Sequence, residues 1–185
     1  MSGPQRLAGI VTATVGSVVL LVPVMIGAAA AGLGLGGGGG ANTGNATPAT
    51  SAIPPDYLAL YQQAAPTCPG LSWTVLAAIG TIESSNGTST APGVHSGANY
   101  AGAEGPMQFE PATFTEYARP VPAGGADPPN PYDPADAIYA AARLLCANGA
   151  RNGANLPGAI YSYNHADWYV TDVLALAARY AANTP

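Results

Sequence analysis

The chain has 185 residues, of which only 8 % are charged, and its formal net charge is −5 at pH 7. There is no lysine, and the five residues that are cationic at this pH are all arginines. Proteins that bind nucleic acid or anionic lipid surfaces need a cationic stripe, so this composition argues against both kinds of partner. Ten tyrosines among so few charges suit a neutral, hydroxyl-rich ligand such as a glycan, although tyrosine also fills protein cores.

The first segment, residues 1–35, predicts passage through a membrane. Arg6 is followed by an uncharged and mostly apolar run from Leu7 to Leu35. Such a run is either a retained signal anchor or a cleaved signal peptide, and its length favours the anchor. With Arg6 on the inner side of the cytoplasmic membrane, the rest of the chain lies outside, anchored or secreted into the cell envelope.

Residues 36–54 predict a flexible linker. The segment starts with five consecutive glycines, and alanine, threonine and proline dominate its remainder. This composition cannot bury enough apolar surface to fold. The globular part is therefore residues 55–185, a single domain of roughly 130 residues, which is large enough for a hydrophobic core.

This domain is predicted to be mainly α. Apolar periodicity, cap residues and chain breakers indicate helices at six places, which begin at Pro55, Trp73, Pro111 and Pro134 and after the cap candidates Asn155 and Asp167. The helix from Pro134 is expected to reach about Asn148. Residues 86–105 have no helical period and predict a loop-rich lobe with at most a short hairpin.

The stretch 72–84 predicts the helix around which the domain is organised. Ser72 can cap its start, and Asn86-Gly87 can end it. Its apolar residues recur with helical spacing: Trp73, Leu76, Ile79 and Ile82. Glu83 lies beside this face, where poor solvation raises the pKa of a carboxyl and suits it to general acid catalysis. The alternative is a glutamate whose carboxylate reaches water at the helix end.

The two cysteines, Cys68 and Cys146, are predicted to form a disulfide, since the domain is exported. Two alternatives are free buried thiols and a catalytic thiol with His165 as its base. No metal site and no cofactor are predicted. The spacing of Asp127, Asn130, Asp133 and Asp136 resembles a calcium loop, but the prolines between them favour ordinary turns and a helix cap.

Three motifs in this order carry a family resemblance: Glu83-Ser84, then Gly105-Pro106-Met107-Gln108 with Pro111, then Tyr163-Asn164. The stretch 130–134 and the alanine-rich helix after it fit the same pattern. Together they resemble the soluble lytic transglycosylases, relatives of goose-type lysozyme, over about residues 55–180. The resemblance implies a lysozyme-like helical fold and cleavage of the glycan strands of peptidoglycan.

The resemblance also implies roles for individual residues. Glu83 is the acid that protonates the glycosidic oxygen between N-acetylmuramic acid and N-acetylglucosamine. Tyr163 forms a hydrogen bond near Glu83 and helps to fix it. Six residues are expected to bind substrate or to shape its groove: Ser84, Met107, Gln108, Phe109, Tyr163 and Asn164. Of these, Ser84 contacts either substrate or the neighbouring backbone, and the same alternatives hold for Asn164.

Only one carboxyl lies on an apolar face, whereas most glycosidases use two. A lone acid-base glutamate predicts a 1,6-anhydro product, in which the C6 hydroxyl of the sugar replaces water. A lysozyme-type hydrolase would need a second carboxylate, and Glu104 and Glu110 are nearest in sequence. The third alternative is a cell-wall-binding module without turnover.

Overall fold

A computed structural model of the chain describes residues 49–183. Within this range there are six α-helices and no β-strand, which confirms the mainly α prediction; Glu104 and Phe109 form an isolated antiparallel bridge. The helices are α1 (Pro55–Ala64), α2 (Trp73–Ser84), α3 (Pro111–Tyr117), α4 (Pro134–Leu145), α5 (Leu156–Tyr163) and α6 (Asp167–Ala182).

The predicted membrane-crossing segment, residues 1–35, lies outside the described residues, as does the linker up to residue 48. Among residues 49–183, no helix combines the length and the apolar character that a membrane span requires. Contacts with the helices also involve residues that precede Pro55, the predicted start of the domain. A 3-10 turn at Ala49–Ala52 packs against α6, and Ile53 is only 4 % exposed, because this apolar side chain enters the core.

Helix α2 is the centre of the domain. Every residue from Thr74 to Gly80 is buried, and α1, α4 and α6 pack around it. The Ser72 hydroxyl accepts a hydrogen bond from the Thr74 N–H (3.3 Å), as its predicted role as a cap requires. Gly80 is needed where Tyr61 crosses, since a Cβ at this position would overlap the Tyr61 hydroxyl. This close packing fixes the end of α2, where Glu83 lies.

Two other predicted caps are confirmed. The Asp133 carboxylate accepts hydrogen bonds from the N–H groups of Ala135 (2.9 Å) and Asp136 (3.1 Å) at the start of α4. The Asn155 side chain accepts one from the Gly158 N–H (3.1 Å) at the start of α5. Each side-chain oxygen satisfies backbone donors that have no partner within the helix.

Two predicted boundaries are wrong by a few residues. Asp167 is the first residue of α6 rather than its cap, and the cap position is held by Ala166, whose backbone is extended. Helix α4 ends at Leu145 instead of near Asn148, because the chain widens into a π-type turn at Cys146–Ala150. The predicted end signal, Gly149, closes this turn with φ +113°.

The predicted disulfide between Cys68 and Cys146 is present, with a Cα–Cα distance of 5.3 Å. It joins the segment before α2 to the end of α4 across 78 residues of sequence. In the chain-entropy description, a loop of this length corresponds to about 4 kcal/mol of stabilisation. Since both cysteines are in the disulfide, the structure contradicts the free-thiol and catalytic-thiol alternatives.

The loop-rich lobe between α2 and α3 is held by backbone contacts. The Gly105 N–H donates to the Gly93 carbonyl (2.7 Å), and the Gly105 backbone has φ +77°. A Cβ on Gly105 would overlap the carbonyl oxygen of Pro131, so only glycine fits between the lobe and the loop before α4. That second loop is in turn anchored on Asp136, a buried carboxylate that accepts from the N–H groups of Ala126 and Asn130.

Candidate active site

Glu83 lies in the last turn of α2 and faces a cleft between α2, the start of α6 and the loop lobe. As the helical spacing predicted, Leu76 and Ile79 are fully buried, and Glu83 is half-buried beside them. Ten residues line the cleft: Ile82, Glu83, Ala91, Pro92, Asn99, Tyr100, Gln108, Asn164, Trp168 and Tyr169.

The hydroxyl of Tyr169, which the sequence analysis missed, donates a hydrogen bond to Glu83 Oε1 (2.6 Å). Burial raises the pKa of Glu83 to about 7, and this hydrogen bond opposes the shift because it favours the carboxylate. The backbone carbonyl groups at the C-terminal end of α2 carry partial negative charge, which also disfavours the ionised form of Glu83. Glu83 can therefore carry a proton at neutral pH and also release it.

Tyr163 forms its hydrogen bond with a backbone group and not with Glu83 itself. Its hydroxyl donates to the Met107 carbonyl (2.7 Å), and its ring stacks on that of Tyr169, with centroids 6.3 Å apart and an interplanar angle of 5°. Tyr163 thus supports Tyr169, which makes the direct contact with Glu83. Tyr169 lies four residues before Val173 on the buried side of α6, a spacing that is typical of core residues and carries no sign of a contact with Glu83.

Ser84 meets the second of its two predicted roles. It is 2 % exposed, and its hydroxyl donates to the Pro106 carbonyl (2.6 Å) and accepts from the Gly87 N–H (2.8 Å). The end of α2 is thereby tied to the segment that carries Met107. No surface of Ser84 is left for a substrate in this structure.

Met107 and Phe109 are both buried, which corrects the expectation that they line the groove. Met107 contributes its backbone carbonyl to Tyr163, and its sulfur lies near Gly80 of α2. The Phe109 ring packs on those of Phe114 and Tyr163, at centroid distances of 5.8 Å and 5.7 Å. Both side chains therefore belong to the hydrophobic core and not to the lining of the cleft.

Gln108 and Asn164 do line the cleft. Gln108 has a left-handed backbone, φ +48°, and its amide donates to the Gly105 carbonyl (2.8 Å). The side-chain oxygen of Gln108 accepts a hydrogen bond from the amide group of Asn99 (2.9 Å). Asn99 also lines the cleft, and the sequence did not predict it. Asn164 follows the last residue of α5. Both amides remain at the surface of the cleft beside Glu83.

Glu83 is the only acidic side chain among the residues that line this cleft in the described part of the chain, and no basic side chain lines it. Glu104 and Glu110 are not among these residues. Within residues 49–183, no group of three or more histidine, cysteine, aspartate or glutamate side chains is placed to hold a metal ion. The chemistry that the cleft offers is proton transfer by one carboxyl next to neutral amides and aromatic rings.

Residues 61–183 match the family model of the transglycosylase SLT domain. The match covers more than half of the chain, so the chain belongs to the transglycosylase SLT domain family. The family resemblance carried by the three motifs is thus confirmed, and so is the enzyme class, peptidoglycan lytic transglycosylase.

A solved structure agrees with this assignment. The fold is similar to that of the Escherichia coli lytic transglycosylase Slt35 in complex with bulgecin A, with a TM-score of 0.57 and 16 % sequence identity. The similarity covers 72 % of this chain and 76 % of that chain. At this identity it establishes the lysozyme-like fold expected from the sequence. No curated protein is significantly similar in sequence.

Proposed function

We propose that the domain cleaves the β-1,4 bond between N-acetylmuramic acid and N-acetylglucosamine in peptidoglycan, with Glu83 as both acid and base. One observation carries the proposal: a single carboxyl, with a pKa of about 7, lines the cleft of a domain of this family. A group with this pKa is suited to both halves of a proton-transfer cycle near neutral pH.

In the first step, protonated Glu83 donates its proton to the glycosidic oxygen, and the bond from this oxygen to C1 of the muramic acid residue breaks. The N-acetyl group of the same sugar stabilises the positive charge at C1, as in glycosidases that use substrate assistance. Glu83 is then a carboxylate, and the hydroxyl of Tyr169 stabilises it through the 2.6 Å hydrogen bond.

In the second step, the Glu83 carboxylate accepts the proton of the C6 hydroxyl while O6 forms a bond to C1. The product is a 1,6-anhydro sugar, and Glu83 is protonated again. Water takes no part, so no second carboxylate is needed to activate it. The absence of a second acidic side chain from the cleft of the described domain supports this route over hydrolysis.

The neighbouring residues divide into two groups. Gln108 and Asn164 are placed to form hydrogen bonds with the sugar, because their amides line the cleft. Ser84 and Tyr163 position the site from beneath, because their hydroxyls donate to the backbone carbonyls of Pro106 and Met107 and the Tyr163 ring stacks on that of Tyr169. Of these residues, we assign direct substrate contact to Gln108 and Asn164.

Peptidoglycan lies outside the cytoplasmic membrane, so we place the domain in the cell envelope. Residues 1–35 would anchor it to the membrane or direct its secretion, as their apolar run predicts. Membrane fractionation and the mass of the mature protein distinguish the two outcomes. A retained anchor leaves the full mass in the membrane fraction, whereas a cleaved signal leaves a smaller, released protein.

Mass spectrometry of the sugars released from purified peptidoglycan by the full chain tests the reaction. We expect products about 18 Da lighter than reducing muropeptides, which is the mass of one water. Reducing ends would identify a lysozyme-type hydrolase, and no release by the folded protein would identify a binding module. Glu83→Gln should abolish release, whereas Glu110→Gln, at an exposed glutamate outside the cleft, should leave it unchanged.

A further inference from the structure

Large exposed hydrophobic side chains are rare in the described part of the chain. There are three: Tyr100, with 72 % of its surface exposed, Tyr161 with 41 % and Trp168 with 37 %. Two of these, Tyr100 and Trp168, line the cleft beside Glu83. Exposed aromatic rings that gather in a cleft indicate a ligand with flat apolar faces.

Tyr100 is presented by a turn that is fixed from several sides. The side-chain oxygen of Asn99 accepts hydrogen bonds from the N–H groups of Ala101 (2.8 Å) and Ala103 (3.0 Å). The Asn99 amide group donates to Gln108, across the same cleft wall. The backbone around Tyr100 is therefore held in place although its ring is open to solvent, so little ordering is required when a ligand binds.

Trp168 stands on the first turn of α6, immediately before Tyr169. Its ring meets that of Tyr169 edge to face, with centroids 5.8 Å apart and an interplanar angle of 80°. Because Tyr169 donates to Glu83, the Trp168 ring is one side chain away from the reacting carboxyl. A sugar that rests on Trp168 is thereby held next to the acid.

The remaining cleft surface defines the chemistry of this ligand. Its other polar groups are neutral side-chain amides, from Asn99, Gln108 and Asn164, and no cation lines it within the described residues. Amides pair with the acetamido and hydroxyl groups of an amino sugar, whereas a free carboxylate would find no positive partner there and would face Glu83.

From these observations we propose that Tyr100 and Trp168 form a stacking subsite for uncharged N-acetylated sugar rings on the strand that Glu83 cleaves. The inference rests on the proposed function for its substrate and adds the residues that select it. The rings bind ground state and transition state alike, so their loss raises KM and leaves kcat nearly unchanged.

The test measures binding separately from cleavage. The full chain carrying Glu83→Gln is titrated with a chitin oligosaccharide, an uncharged polymer of N-acetylglucosamine, by calorimetry. We expect Trp168→Ala and Tyr100→Ala each to raise Kd on the order of tenfold, with Trp168→Phe in between. Tyr161→Ala is the matched control, because this exposed ring lies outside the cleft, and its Kd should not change.

Two outcomes overturn the subsite. One is an unchanged Kd in a folded Trp168→Ala and Tyr100→Ala pair. The other is found with Trp168→Ala in an enzyme that keeps the native Glu83. If its KM is unchanged but its pH profile is displaced, Trp168 acts only through the position of Tyr169. If Trp168→Ala does not fold, the Kd of Tyr100→Ala alone decides whether the subsite exists. If the aromatic variants bind the oligosaccharide more weakly but the parent chain releases no anhydro sugar, the subsite is supported and the proposed reaction is refuted.

Discussion

The hydrogen bond from Tyr169 to Glu83 makes a quantitative prediction for the variant Tyr169→Phe. This bond stabilises the carboxylate of Glu83 and so opposes the rise in pKa that burial causes. A hydrogen bond to a charged group contributes about 1.5–3 kcal/mol, and one pKa unit corresponds to 1.36 kcal/mol. Removal of the Tyr169 hydroxyl should therefore raise the pKa of Glu83 by about 1–2 units above its value near 7.

The assay is the pH dependence of anhydro-sugar release. The reactive form of Glu83 is protonated, so kcat/KM falls as pH rises through the pKa of the free enzyme. In Tyr169→Phe this falling limb should move about 1–2 units toward higher pH. At the same time kcat should drop on the order of tenfold, because the carboxylate formed in the first step has lost its donor.

Tyr163→Phe is the matched control. It keeps the ring that stacks on Tyr169 and removes a hydroxyl that donates to the Met107 carbonyl rather than to Glu83. Its falling limb should stay at the position of the parent enzyme, with a loss of stability of about 1 kcal/mol from the broken hydrogen bond. A limb that stays in place in Tyr169→Phe, or moves to lower pH, would refute the assignment of Tyr169 as the donor that tunes Glu83.

Three further predictions concern stability. The folded-state pKa of Glu83 is raised from 4.5 to about 7, so its ionisation costs nothing below pH 4.5 and destabilises the fold increasingly up to about pH 7, by at most about 3 kcal/mol. Glu83→Gln should thus melt several degrees above the parent at pH 8 and at the same temperature at pH 4, and a lower Tm at pH 8 would contradict this. Replacement of Cys68 and Cys146 by serine should lower the free energy of unfolding by about 4 kcal/mol in denaturant titrations, and an unaltered midpoint would exclude a disulfide in the native protein. Gly105→Ala should cost at least about 2 kcal/mol through overlap and left-handed strain, against about 1 kcal/mol for Gly97→Ala, which has φ +60° and open space around it; equal Tm values would argue against the close approach at Gly105.

The sequence was sufficient for the presence of the helices and for the position of Glu83 at the end of a buried helix, because both depend on local patterns. Ser72, Asp133 and Asn155 were found as caps from residue type and position, and each makes the expected hydrogen bond. Glu83 was found because it falls beside a stripe of apolar residues with helical spacing. Asp167 was misplaced by one residue because the cap position is set by the backbone of Ala166, which adopts an extended conformation.

The residues around the acid could not be assigned in the same way. Tyr169 and Tyr163 are six positions apart, the first buried and the second partly buried, and only the packing of α5 on α6 decides which hydroxyl reaches Glu83. Burial of Met107 and Phe109 likewise depends on how the loop lobe folds back on the helices. Asn99 was invisible in sequence, since its contact with Gln108 arises from the shape of a loop without periodicity.

The hydrogen bond from Ser84 to the Pro106 carbonyl joins two parts of the molecule that are held together in different ways. Glu83 and its hydrogen-bond donor Tyr169 stand on α2 and α6, two helices that pack against each other, so substitutions there disturb the core. The residues between Gly87 and Gly105 form no helix. They are held by hydrogen bonds within the loop, several of them involving the Asn99 side chain, and by glycines at close backbone approaches. Substitutions at exposed positions of this segment, such as Tyr100, should therefore alter the cleft wall at less cost to the core than substitutions on α2 or α6.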